Sequence, residues 1–126
     1  MKAKLTVNSY GNGWKDCVRD DEAQLSADGE VAVIRYKING DACTLVADGR
    51  RAVQKREGEF NTIITFNADG EGECTFSSGE LQGGYAVQTT HYKFVNGKTG
   101  CMLNITYLSG EDKEEINLKV KCLYKR

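Results

Sequence analysis

From Phe60 to Tyr124 apolar and polar residues alternate with a period of two, segment after segment, and glycine turns separate the segments. Successive side chains on a strand point to opposite faces, so this period means strands with one buried face and one wet face. The last two segments are the clearest. Cys101, Leu103, Ile105 and Tyr107 share one phase, with Asn104 and Thr106 between them and Met102 as the one apolar exception. After Ser109-Gly110 the chain reads Ile116, Leu118, Val120, Cys122 and Tyr124, with Asn117, Lys119, Lys121 and Leu123 in between. A helix would need apolar residues recurring in the combined three-and-four spacing of one helical face, and here they recur at every second residue instead. A slip of one residue in this pair would put Leu118 and Val120 in water and Lys119 and Lys121 in the core. The two segments are therefore expected as an antiparallel hairpin with its apolar phases inward.

The same grammar runs through the rest of the chain. Strands are expected at 2–9, 23–27, 31–38, 42–47, 50–56, 60–66, 73–76 and 81–95. The piece 14–22, with Trp14, Cys17, Val18 and an acidic run, fits no element firmly. Asn39-Gly40, Asp48-Gly49, Asp69-Gly70 and Asn96-Gly97 close successive segments. Asn-Gly and Asp-Gly favour type I′ turns, whose two central residues both need positive φ, and so they mark hairpins. Hairpin after hairpin implies an antiparallel meander of eight or nine strands. An open sheet of that size leaves two edges exposed, and closure removes both. The fold class expected is all-β: a closed antiparallel up-and-down β-barrel of about eight strands. Gly83 and Gly84, inside the longest strand, suit a bulge or sharp bend.

At 126 residues the chain is expected to form one domain, residues 1–126. Its net charge of −1 supplies no overall field to draw in nucleic acid. No apolar run is long enough for a membrane span. Met1-Lys2-Ala3-Lys4-Leu5 alternates at once and holds no apolar signal core, which points to the cytoplasm. The five cysteines, at 17, 43, 74, 101 and 122, form no C-x-x-C pair, and three of them fall in phase with core residues. Free thiols behaving as small hydrophobes are expected, not a disulfide or a zinc site.

Arg56-Glu57-Gly58-Glu59-Phe60-Asn61-Thr62 through Phe66 carries a resemblance. The stretch resembles the YwiB-like family, small uncharacterised bacterial β-barrel proteins with a calycin-like, lipocalin-like architecture. Thr75 to Gly79, Thr89-Thr90, Gly100 to Tyr107 and Ile116 to Lys121 continue the likeness, which runs from about Gly29 onward. The resemblance implies a closed antiparallel barrel. It carries no activity and no catalytic residues.

Candidate functional residues are few. His91 is the only histidine and shares a phase with Leu81, Tyr85 and Val87. It reads as a metal or haem ligand, as a general base near neutral pH, or as a satisfied structural histidine. One histidine cannot make a zinc site. Ser77-Ser78-Gly79 is a turn, not a nucleophile elbow. The carboxylate pairs Glu57/Glu59 and Glu71/Glu73 flank turns, where solvated acids are ordinary. Two basic clusters, Arg50/Arg51/Lys55/Arg56 and Lys119/Lys121/Lys125/Arg126, read as solvated faces unless they meet. No nucleophile, base and acid assemble into one set, so an enzyme ranks behind two other readings. No cofactor or metal is implied.

The leading reading is a barrel that binds a small, mostly apolar ligand, because eight strands enclose a space that is either just filled or holds one ligand. The inward phase of the long strand runs from apolar Leu81, Tyr85 and Val87 to polar Thr89 and His91, so the candidate pocket, which includes Tyr85 and Val87, is expected to have Thr89 and His91 at its rim and Leu103 and Ile105 in its floor. The alternative is a non-catalytic interaction or structural module with a packed interior.

Overall fold

The computed structural model describes residues 1–125. It is a closed barrel of ten antiparallel strands: β1 Lys2–Gly11, β2 Trp14–Asp28, β3 Val31–Ile38, β4 Asp41–Ala47, β5 Arg51–Glu57, β6 Asn61–Asn67, β7 Glu71–Ser78, β8 Leu81–Gly97, β9 Gly100–Ser109 and β10 Glu114–Tyr124. Each strand pairs with its neighbours in sequence, and β1 closes the ring against β10 from Ala3↔Tyr124 to Tyr10↔Asn117. Closure gives every strand a neighbour on both sides, although β2 pairs with β3 only over Gln24–Asp28 and its first half is paired with β1 alone.

The count is ten, not about eight: the segments that alternate are already ten, and each forms its own strand. The unassigned piece 14–22 adds no strand but lengthens the segment 23–27 into β2, paired along its length with β1 from Leu5↔Asp20 to Gly11↔Trp14. Its alternation is weak because its inner positions, Trp14, Asp16 and Val18, lie where the barrel is open. The polar segment β5 likewise forms a full strand between β4 and β6.

The hairpin of β9 and β10 has the register its alternation demands: Leu118↔Ile105, Val120↔Leu103 and Cys122↔Cys101 face inward. Leu118 is 5% exposed, and Lys119 and Lys121 lie in solvent. Asn39 and Gly40 both take positive φ, 50° and 87°, as a two-residue type I′ turn requires. All five cysteines are free; Cys43, Cys74, Cys101 and Cys122 are buried and Cys17 is exposed.

The two ends of the barrel differ. At one end lie the turns 28–31, 47–51, 67–71 and 97–100. Here Ala3, Ala23, Leu25, Ala32, Ala52 and Phe66 are fully buried. The rings of Phe66 and Tyr107 meet at 4.9 Å, and Tyr92 Oη donates to the Asp48 carbonyl across the end at 2.6 Å. The other end carries the turns 11–14, 38–41, 57–61, 78–81 and 109–114. Its inward-phase residues are only partly covered, among them Ile38, Ile64 and Phe76, with Tyr85 at 40% and Trp14 at 41% exposure. Trp14 lies against Gly11 and donates from Nε1 to Glu114 Oε2 at 2.7 Å. It covers the rim near the first turn and leaves the rest of this end open.

Gly83 and Gly84 do not mark a bulge. The register between β7 and β8 runs unbroken through Phe76↔Gly83 and Thr75↔Gly84. A Cβ on Gly83 would lie 2.5 Å from the Phe76 ring, so the glycine seats the cross-strand aromatic. The irregularity in β8 falls at Thr90, between Thr89↔Tyr107 and His91↔Thr106.

Candidate functional site

The bulge at Thr90 decides where the sequence-derived site residues lie. Before it, odd positions of β8 face inward, and Val87 and Thr89 are buried at 1% and 7% exposure. After it, even positions face inward, and Tyr92 and Phe94 pack on the core. His91 therefore sits on the outer face, exposed to solvent. An extra residue in one strand inverts the alternation beyond it, so an uninterrupted count from Leu81 gives the wrong side.

The polarity gradient along β8 is also inverted. Leu81 and Tyr85 stand at the open end, 58% and 40% exposed, while Thr89 is deep. Val87, Thr89, Leu103 and Ile105 do come together on the inner wall, within the packed core. Thr89 Oγ1 is buried there and has no hydrogen-bond partner among the described residues.

A hollow opens elsewhere, on the inner faces of β3 to β6 near the open end. It has a volume of about 220 Å³ and is lined by Ile38, Cys43, Gln54, Arg56, Thr62 and Ile64. Ladder registers bring these residues together: Cys43↔Arg56, Arg56↔Thr62 and Gln54↔Ile64 are cross-strand neighbours on one face. Ile38 and Ile64 supply apolar wall. Arg56 is the only cation at an inward position of these four strands. Its Nε donates to Asp41 Oδ2 at 2.9 Å, and the two side chains keep 40% and 28% of their surface exposed. Asp41 in turn lies against Gly58, where a Cβ would meet its carboxylate at 2.3 Å. The pair thus ties the turn 38–41 to β5, and the outer edge of the guanidinium keeps no protein partner among the described residues.

Behind Arg56, Gln54 Nε2 donates to Tyr36 Oη at 2.7 Å. The phenol accepts that bond and keeps its own proton to give away. Burial pushes the Tyr36 hydroxyl up to about 12, so it is a neutral donor at physiological pH. Burial also raises the Cys43 thiol, which makes it an inert wall atom and not a nucleophile. The site is consequently rich in donors, and its one carboxylate is already engaged.

A cleft of about 480 Å³ adjoins this hollow and shares Cys43 with it. It lies where β2 leaves β3: the ladder stops at Gln24↔Arg35, and beyond it Asp20 Oδ2 accepts from the Lys37 amide at 2.9 Å. A third hollow, about 740 Å³ between the turns 11–12 and 112–115, is lined by Gly11, Asn12, Asp112, Lys113, Glu114 and Glu115, with no apolar side chain among them. The first basic cluster of the sequence is split, with Arg56 inside and Arg51 and Lys55 outside. In the second cluster Lys119 and Lys121 face out from β10, and Arg126 lies outside the described residues.

No family model matches the sequence, and no curated protein matches it. Among solved structures, the barrel is similar to the crystal structure of the ywiB protein from Bacillus subtilis. The TM-score is 0.77 at 7% sequence identity, over 99% of this chain and 91% of that one. At that identity the likeness is one of fold, and it is the fold that the sequence resemblance implies.

Proposed function

We propose that the barrel binds a small molecule with an anionic head and a short apolar body in the hollow between β3 and β6. The observation that carries this reading is Arg56, a cation on an inner wall, held by Asp41 through Nε alone and open along its other edge. A guanidinium matches a carboxylate in planar geometry, with two parallel hydrogen bonds. The Thr62 hydroxyl lies in the same wall and offers a further donor, while Ile38 and Ile64 flank the apolar part. The volume of about 220 Å³ falls below the ~300–1,000 Å³ typical of sites for drug-sized molecules, so the ligand class is a short-chain or single-ring carboxylate. The rim expected at Thr89 and His91 gives way to this location because His91 faces solvent.

The test is thermal unfolding with millimolar benzoate, hexanoate and their neutral amides. A ligand that binds only the native state raises the midpoint. The carboxylates should raise it and the amides should not, and Arg56→Gln should abolish the shift while Arg56→Lys retains part of it. No shift with any carboxylate, or a shift that survives Arg56→Gln, overturns the reading. The filled closed end supports a second reading, a packed module that works through its outer surface.

A further inference from the structure

The total charge of −1 conceals a segregation. Five consecutive strands of the closed ring, β8, β9, β10, β1 and β2, present one continuous outer face. Their ladders align it in rows. One row runs Lys93, Asn104, Lys119, Asn8. The next runs Met102, Lys121, Thr6, Arg19. In a third row Tyr10 lies between Asn117 and Lys15. Across these three rows the outward positions include Lys15, Arg19, Lys93, Lys119 and Lys121 and not one Asp or Glu. Acids of the same strands border the rows without entering them: Asp16, Asp20, Asp21 and Glu22 on β2, and Glu114 and Glu115 at the start of β10.

None of these five cations has a carboxylate partner: the ion pairs among the described residues are Arg56–Asp41 and Lys125–Glu22. Lys15 and Lys119 instead stand over the Tyr10 ring, at 5.5 Å and 5.9 Å from its centre. Lys119 and Lys121, two residues apart on one strand, are separated by about 6.8 Å, and Lys119 and Lys93, two strands apart, by about 9.6 Å. A shallow hollow of about 370 Å³ lies over β10, with Lys119, Lys121, Asn8 and Asn104 in its walls. Unpaired like charges held this close repel one another, and an anionic partner relieves that repulsion.

We infer that this face docks the phosphate backbone of a nucleic-acid duplex. The chemistry favours that occupant over an acidic protein. Protein interfaces centre on apolar and aromatic residues and are depleted in lysine. Here four of the five cations are lysines; Met102 is the one apolar residue within the rows, beside Lys121 in the wall of the hollow, and Val95 lies beyond it. Lys, Arg, Asn, Thr and Tyr are the side chains that contact phosphate and sugar. A single strand would want a row of exposed rings on which bases stack, and the face offers Tyr10, half-buried between two lysines. Contact limited to the backbone predicts binding that is indifferent to sequence and steeply dependent on salt.

The experiment is fluorescence anisotropy of a labelled DNA duplex of about 20 base pairs, titrated with the full chain at salt from about 20 to 200 mM. The expected slope of log K against log salt is about −3 to −5, one phosphate for most of the five cations. Lys119→Glu with Lys121→Glu should weaken binding at least tenfold at the lowest salt, and Lys55→Glu on the opposite wall should leave it unchanged. A thermal melt shows that each variant is folded; if the first pair does not fold, Lys15→Glu with Lys93→Glu takes its place. Three results overturn the inference: no binding at the lowest salt, equal loss in the Lys55 variant, or binding of a single strand or of polyglutamate as tight as that of the duplex.

Discussion

Thr89 and His91, separated by one residue of β8, lie on opposite faces of the barrel wall. Residues two apart on a regular strand share a face. The register shift at Thr90 breaks that rule here, leaving Thr89 in the core and His91 in water. The two side chains therefore contribute to stability in unrelated ways.

The Thr89 hydroxyl is buried without a partner among the described residues. A buried polar group in that state costs about 1–3 kcal/mol. Thr89→Val removes the hydroxyl and keeps the branched shape, so the variant should be more stable than the parent by about 1 kcal/mol. His91→Ala, on the exposed face, should stay within about 0.5 kcal/mol of the parent. Urea unfolding midpoints measure both. A Thr89→Val variant less stable than the parent would show that the hydroxyl holds a partner such as buried water.

Alkaline pH should unfold the barrel through its buried acids. Burial lifts Tyr36 from 10.0 to about 12, Cys101 from 9.0 to about 11 and Cys122 from 9.0 to about 12. Tyr92 and Tyr107 move in the same direction for the same reason. Each is neutral when protonated, and folding raises its pKa, so the folded state binds the proton more tightly. The stability this supplies is fully present below the unfolded values and is lost as pH rises through the folded ones. Stability should therefore begin to fall near pH 9 and fall steeply toward pH 12. Tyr36→Phe should be less stable at neutral pH, because Gln54 loses its acceptor, and should show a shallower fall above pH 10. An identical slope in parent and variant would remove Tyr36 from the account.

The thiols should divide one against four. Cys17 is exposed, and the other four are buried with raised pKa values, so they are protonated and shielded at pH 8. A thiol reagent should label one sulfur quickly in the native protein and all five in denaturant, without prior reduction. The four slow thiols should react at rates set by opening of the barrel. Fewer than five in denaturant would reveal a disulfide and contradict the free thiols of the fold.

The alternation of Cys101 to Tyr107 and Ile116 to Tyr124, with Ser109-Gly110 between them, was enough to define the last hairpin, its register and its buried face. The turn dipeptides were enough to order the meander and to imply closure, although of the four only Asn39-Gly40 takes positive φ at both residues, and Asn96-Gly97 lies inside β8, with the turn at Lys98-Thr99. These features are local: a strand's period and a turn's φ depend on residues that are neighbours in the chain. The length of β2 was less legible, because Trp14 to Glu22 lacks alternation and joins the strand only by pairing with β1. His91 lies on the face opposite to the one its phase predicts, because a bulge is a property of register between two strands, and Thr90 carries no mark of it in the sequence. The hollow around Arg56 and the basic face of Lys15, Arg19, Lys93, Lys119 and Lys121 were out of reach for another reason. Lys15 and Lys119 meet over Tyr10 because β1 stands between the second strand and the last, and that adjacency exists only once the ring has closed. The sequence by itself determined which residues turn inward along each unbroken strand; the tertiary structure decided which strands are neighbours and where the register slips, and those two decisions place both candidate sites.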